Sequence, residues 1–288
     1  MFTQIFVNGL IAGAIYALVA CGFSLIYSTN KFVHFAHGAT IAYAAYFLWF
    51  FYTSLKINFW FSIILAIICG SIFGLLMNLF LYNKLRERKA SPVILLIASF
   101  VLLIMLESFI LIFFGADIKT IGFIKIAKGL EIAGAIITPL QIIIVITAIL
   151  LFIFLFIFMK KTKIGKAIRA VSDNKDVSEI VGISSNKIYN WTFIIGSAIA
   201  GIAGVLVGLE QNLEPVMGSH LMIKGFTGAI VGGVGSVPGA ILGSFLLGFA
   251  ENFGIWYLPS GYKDAIAFML LFIFLLFRPQ GILGIKKE

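Results

Sequence analysis

His34 and His37, two of the three histidines in the chain, stand three residues apart in Phe-Val-His-Phe-Ala-His-Gly-Ala-Thr (32–40). On a helix this spacing puts both rings on one face, where they could start a metal site, relay a proton or simply pack. A metal needs more ligands than two. No Asp, Glu or Cys lies close in sequence, and His220 is far along the chain, so no metal is expected here. Glu107 and Glu251 are ionisable groups inside apolar runs, and Lys263 and Asp264 open another. Such groups are either functional or glutamates near a water interface. Asn8, Tyr16, Ser24, Asn78 and Ser99 add uncharged polarity. Two scattered glutamates make a poor proton chain, and neither a repeated filter nor a charged ring marks a channel. There is no H-E-x-x-H, G-x-S-x-G or C-x-x-C, and no G-x-x-x-x-G-K-[ST]. No catalytic residue is therefore expected, nor ATP hydrolysis by this chain.

The elements that carry these groups are membrane helices. Of 288 residues, 61% are hydrophobic and 11% charged, against about 25% charged in soluble domains. The net charge of +9 sits in short connectors between apolar runs. That is the pattern of membrane topology rather than of nucleic-acid binding. The partner implied by composition is membrane lipid, with no nucleic acid. Cys21 and Cys69 fall inside apolar runs and read as small hydrophobes. The first basic residue is Lys31, so the first run reads as a retained span and not a signal peptide.

A span needs roughly 20 apolar residues. Runs near 5–27, 34–52, 59–82, 92–114, 137–159 and 189–209 qualify, and 221–235, 239–257 and 263–278 follow, divided by Gly and Pro. The fold class is all-α: a polytopic bundle of about eight spans (seven to nine) in one domain, 1–288. Lys84, Arg86, Arg88 and Lys89 in loop 83–91, seven basic residues in loop 160–188, and Arg278, Lys286 and Lys287 in the tail should face the cytoplasm. That places the N-terminus outside and the C-terminus inside.

Glycines recur at small-xxx-small spacing (Gly9/Gly13, Gly70/Gly74, Gly204/Gly208, Gly228/Gly232, Gly239/Gly243). They predict close helix packing within the chain. The segment 231–239, with Gly232, Gly233, Gly235 and Pro238, cannot stay a regular helix. It is either a tight turn between spans or unwound backbone lining a pathway.

Loop 160–188 is patterned. Ile164, Ile168 and Val171 mark one helix face, and Val177, Ile180 and Val181 a second. Ser172 and Asp173 offer N-cap chemistry between them, and Gly182 fits a helix stop. Two short amphipathic helices follow, needing either the membrane surface or a soluble partner to pack on.

Several stretches together resemble the permease subunit of branched-chain amino-acid ABC importers, of the LivH type. They are Asn8-Gly-Leu-Ile-Ala-Gly-Ala-Ile-Tyr-Ala-Leu-Val-Ala-Cys-Gly-Phe-Ser-Leu-Ile-Tyr27 and Phe35-Ala-His-Gly38, then Arg169-Ala-Val-Ser-Asp-Asn through Val181-Gly-Ile183, Gly225 through Ala240, and Phe277-Arg-Pro-Gln-Gly-Ile-Leu-Gly284. In that pattern the position of His34 is usually Asn, so only His37 is carried over. It is expected at the cytoplasmic mouth of the second span, tied to backbone or a neighbouring helix. The resemblance implies a transport subunit, not an enzyme, of the bacterial cytoplasmic (inner) membrane. Its implied partners are a second similar permease, two cytoplasmic ATPases that carry ATP and Mg, and a periplasmic or lipid-anchored substrate-binding protein. It makes Gly165–Ile183 the ATPase-coupling motif, with Gly165, Ala167, Arg169, Ala170, Ser172, Asp173, Asn174, Asp176, Glu179, Val181, Gly182 and Ile183. Candidate pathway residues are Asn8, Tyr16, His37, Gly38, Glu107, Gly232, Gly233, Gly235, Pro238 and Glu251. The competing expectation is a secondary transporter or channel for a small neutral solute, working without ATP.

Overall fold

The structure is a computed structural model and describes residues 1–123, 129–132 and 134–284. Lys286 and Lys287, counted above in the tail, lie outside the described residues, as do Lys125 and Lys128 of the 115–136 loop.

The apolar runs form helices α1 (Phe2–Asn30), α2 (His37–Trp49), α3 (Phe59–Met77), α5 (Pro92–Phe114), α6 (Pro139–Lys161), α9 (Ser185–Glu210), α10 (Met217–Gly232), α11 (Val237–Gly254) and α12 (Lys263–Phe277). Shorter helices α4 (Asn83–Glu87), α7 (Lys163–Asp173) and α8 (Lys175–Ile180) lie in the connectors. A small hairpin, β1 (Leu130–Ile132) with β2 (Ala135–Ile137), precedes α6. Caps begin several of them. The Ser91 hydroxyl accepts from the Ile94 N–H ahead of Pro92, and Thr138 and Gln141 form a reciprocal capping box ahead of Pro139.

Among the described residues six helices are long and apolar enough to cross a membrane, counting Phe59–Glu87 as one. The pair α10–α11 is bent by 114°. Counting that pair once and adding the buried α2 gives eight embedded units, and counting its arms separately gives nine. The chain is a multi-pass membrane protein with the expected helical architecture. Its layers follow burial. The apolar window of α1 is 83% buried and that of α12 only 6%, so α1, α2, α9, α10 and α11 make the core and α3, α5, α6 and α12 face lipid.

The glycine pairs are the packing faces of that core. Gly9 and Gly13 of α1 meet Phe249 and Phe245 of α11, Gly70 meets Ala44 of α2 and Gly201 of α9, and Gly204 and Gly208 of α9 meet Ile41 and Ala45 of α2. Gly228 and Gly232 of α10 face Ser244 and Gly239 of α11. No hydrophobic force pairs helices in lipid, so such close backbone contact supplies the dispersion energy instead.

Two sequence expectations need correction, and one alternative left open, for the segment 231–239, is decided. First, the second span does not start as helix near 34. Residues 31–36 are non-helical, and α2 begins at His37, beside Gly22 of α1. Gly22 lies eight residues before the end of α1, about 12 Å along a helix. His37 therefore sits at depth rather than at the mouth of a span. Second, the segment 231–239 is a tight turn. Gly233 and Gly235 adopt φ 114° and 91°, which L side chains resist, and Pro238 falls in the first turn of α11, capped by the Ser236 hydroxyl. Third, the cap between α7 and α8 is neither Ser172 nor Asp173 but Asn174, whose side-chain Oδ1 accepts from the Val177 N–H at 3.1 Å. Its extended backbone (φ −146°) is the break between the helices.

The basic stretches gather at one end of the bundle. The Lys31 ammonium donates to the Ser172 carbonyl at 2.7 Å, Arg86 bonds Asn30, and the 233–236 turn packs on the tail, where the Ile282 N–H donates to the Val231 carbonyl at 3.0 Å. The N-terminus lies at the opposite end, where the Gln4 side chain exchanges hydrogen bonds of 2.7 and 3.1 Å with Ile136.

Candidate functional site

A cavity of about 880 Å³ opens between α1, α10, α11 and the 211–216 connector, away from the basic end. Asn8, Ile11, Ala12, Ile15 and Tyr16 of α1 line one side. Glu210, Glu214, His220, Lys224 and Asp264 add charge and polarity from the other elements. Its volume lies in the range of small-molecule sites, about 300–1,000 Å³.

An ionic cluster is set into its wall. Lys224 of α10 holds the Glu251 carboxylate of α11 at 2.5 Å and the Asp264 carboxylate of α12 at 2.7 Å. The Tyr16 hydroxyl donates to the other Glu251 oxygen at 2.8 Å. Glu251 is 1% exposed, Lys224 12% and Asp264 66%. Each partner follows from local folding. The α10–α11 hairpin brings residues 224 and 251 level, and Asp264 sits in the first turn of α12, where a carboxylate also suits the helix dipole. A buried charge persists only when paired, and here four helices meet through one lysine.

The structure thus brings Asn8 and Tyr16 to one cavity, with Glu251 buried behind its wall and held by Tyr16. Lys224 is the member that sequence reasoning missed. A lone Lys in a Gly-rich apolar run was its only signal, and intramembrane ionisable groups warrant a partner search. Glu107 lies elsewhere, on α5, and accepts from the Ser219 hydroxyl. Gly232, Gly233, Gly235 and Pro238 lie at the other end, in and beside the α10–α11 turn, where Gly233 packs on Gly281 and Gly284.

His37 and Gly38 sit between the two ends. A Cβ on Gly38 would stand 2.6 Å from the Gly218 carbonyl oxygen, so glycine permits the close α2–α10 approach. The His37 ring is fully buried in a space kept by Gly22. Neither ring nitrogen reaches a partner at full hydrogen-bonding geometry, the Val19 carbonyl being its near neighbour. His34 does have one, the Tyr82 hydroxyl at 2.9 Å.

The basic end is closed by a polar network around Arg86. Its guanidinium donates to Asn30 of α1 and, at 3.1 and 2.9 Å, to Asn78 and Asn83. It also lies 4.4 Å above the Tyr189 ring of α9. Asn78 donates to Asn190 at 2.7 Å, and Thr29 bonds Thr192 at 3.1 Å. A π-helical turn, Asn78–Tyr82, aims Asn78 and Tyr82 inward. Arg86 is thus more than a surface topology charge.

The loop motif Gly165–Ile183 folds as two unlike halves. Gly165 allows the sharp corner from α6 into α7, since a Cβ there would meet the Met159 backbone at 2.6 Å. Ile168 and Val171 of α7 are buried against Leu155, Ile188 and Tyr189. In α8 the apolar face is bare: Val177, Ile180 and Val181 are 55%, 83% and 68% exposed. Gly182 (φ 87°) closes it. The remaining motif members Ala167, Arg169, Ala170, Ser172, Asp173, Asp176, Glu179 and Ile183 lie along α7, α8 and their ends.

Residues 5–275 match the family described as branched-chain amino acid transport system / permease component. The chain is 34% identical to the high-affinity branched-chain amino acid transport system permease protein BraD of Pseudomonas aeruginosa, over 98% of this chain and 96% of the relative. It is 31% identical to LivH of Escherichia coli K12 over the same shares. A probable LivH of Methanocaldococcus jannaschii is 28% identical over 93% of this chain and 88% of its own. Among solved structures, PsaBC from Streptococcus pneumoniae in complex with Fab has the same fold (TM-score 0.52, 13% identity, 95% of this chain and 91% of that one).

Proposed function

We propose, for a chain that belongs to the family of branched-chain amino acid transport permease components, the role of membrane subunit of an ABC importer for branched-chain or related neutral amino acids. A second permease, two cytoplasmic ATPases that bind ATP and Mg, and a substrate-binding protein complete the machine. The basic end faces the cytoplasm of a bacterial inner membrane, and the 880 Å³ cavity faces the side from which substrate is delivered.

The observation that carries this reading is α8. A six-residue helix is too short to persist alone, yet it is capped at both ends and presents Val177, Ile180 and Val181 bare at the basic end. Exposed apolar residues rimmed by charge mark a protein interface. Behind α8, α7 is anchored to α6 and α9 and is tied to α1 through Lys31 and Ser172. A push on α8 therefore reaches the core helix that lines the cavity. The sequence has no nucleotide loop of its own, so the energy comes from the chain that docks there.

The test is co-purification with the candidate ATPases. Ile180→Asp places a charge on the bare face without touching the bundle and should abolish ATPase capture. Capture that survives Ile180→Asp and Gly182→Trp together rules out this docking surface.

A further inference from the structure

We infer that the Lys224–Asp264 ion pair is the recognition site for the charged backbone of a zwitterionic α-amino acid, which inserts between the two. The inference rests on the permease reading above and assigns residues to it.

Charge conservation selects the ligand class. Lys224 bridges a buried carboxylate, Glu251, and an exposed one, Asp264. Glu251 is also held by Tyr16 and stays with Lys224. Asp264 is the releasable arm, being 66% exposed at the start of α12. When its contact with Lys224 opens, a ligand carboxylate takes its place on the ammonium, and the ligand ammonium takes the freed Asp264. Every charge remains paired. A lone anion would leave Asp264 without its lysine, and a lone cation would leave Lys224 with Glu251 alone; only a ligand carrying both charges replaces both halves of the opened pair. Lys suits this exchange, because a point charge on a flexible stem can trade acceptors without matching a fixed fork.

Shape selects the side chain. Within a mainly polar lining the same cavity has one narrow apolar strip, Ile11, Ala12, Ile15, Met217 and Leu221, beside the ionic cluster. An aliphatic side chain finds its contact there, while the two charged ends of the molecule are read by Lys224 and Asp264.

The experiment uses the full complex in vesicles, with this chain carrying Ala12→Cys in a Cys69→Ser background; Cys21 is fully buried. Labelling of Cys at position 12 by a water-soluble maleimide is followed with L-leucine, with isocaproate, which lacks the ammonium, and with isopentylamine, which lacks the carboxylate. Leucine should slow labelling and the two half-ligands should not. Asp264→Asn should raise the half-protecting leucine concentration about three- to fivefold, the scale of an ion pair with one exposed partner, each curve being referred to that variant's own labelling without leucine. No protection by leucine, equal protection by all three ligands, or an unshifted Asp264→Asn curve overturns the assignment. ATP-driven leucine uptake, with the binding protein supplied, is read in the same vesicles. Uptake without protection removes this site alone; protection without ATP-driven uptake removes the permease reading and keeps the site.

Discussion

Replacing Glu251 by Leu tests whether the four-helix ionic junction is as buried as the geometry says. The carboxylate is 1% exposed and holds Lys224 at 2.5 Å and the Tyr16 hydroxyl at 2.8 Å. Breaking a buried pair by removing one partner costs about 3–5 kcal/mol. Lys224 keeps Asp264 at 2.7 Å and some contact with the cavity, which favours the lower end. The orphaned Tyr16 hydroxyl adds about 1 kcal/mol. We expect a loss of about 3–4 kcal/mol for Glu251→Leu. Asp264→Asn breaks an equally short contact from an exposed carboxylate, and exposed pairs contribute about 0–1 kcal/mol. The assay is the unfolding midpoint of the purified protein in a mixed-micelle SDS titration, with both variants beside the parent. A large drop for Glu251→Leu and a small one for Asp264→Asn is the expected order. Equal effects would mean that burial does not separate the two carboxylates, and the account of which arm releases would fail with it.

Three further outcomes follow from the packing. Gly38→Val should cost about 1–3 kcal/mol by overpacking, because α2 and α10 cannot part from the Gly38–Gly218 contact; the same SDS titration reads it. Asn174→Ala removes the α8 cap and should weaken ATPase capture by the unfavourable helix term of about 1 kcal/mol, roughly fivefold in affinity, measured by titrating the ATPase onto immobilised permease. Arg86→Met unties Asn30, Asn78 and Asn83 at once and should raise maleimide labelling of Thr192→Cys from the basic side; unchanged labelling would deny that the network seals that end.

What the sequence made legible is what short-range periodicity encodes. The α7 face of Ile164, Ile168 and Val171 was readable because an amphipathic helix repeats within two turns, and its burial against Tyr189 and Leu155 follows that pattern. The glycine pairs were readable as packing faces for the same reason. The α8 cap was misplaced because Ser172, Asp173 and Asn174 are all good cappers in a row, and only the backbone break at Asn174 decides among them. The non-helical stretch 34–36 was hidden because Phe35 and Ala36 run straight into the apolar residues of the second span. Lys224 escaped because its meaning lies in Glu251, 27 residues on, and in Asp264 on a third helix. Arg86 escaped for the opposite reason: it stands in a loop whose other basic residues do mark topology, and only the α1 and α9 contacts draw it inward. Non-local pairing, in each case, carries what periodicity cannot.

Leucine flux in proteoliposomes tests the central claim most directly. With the purified chain alone, a leucine gradient should drive no uptake. With the proposed partner permease, ATPases and loaded binding protein, uptake should appear on adding ATP and vanish with Ile180→Asp. Gradient-driven uptake by the chain alone, or ATP-independent uptake by the complex, would contradict a permease whose work is done through α8.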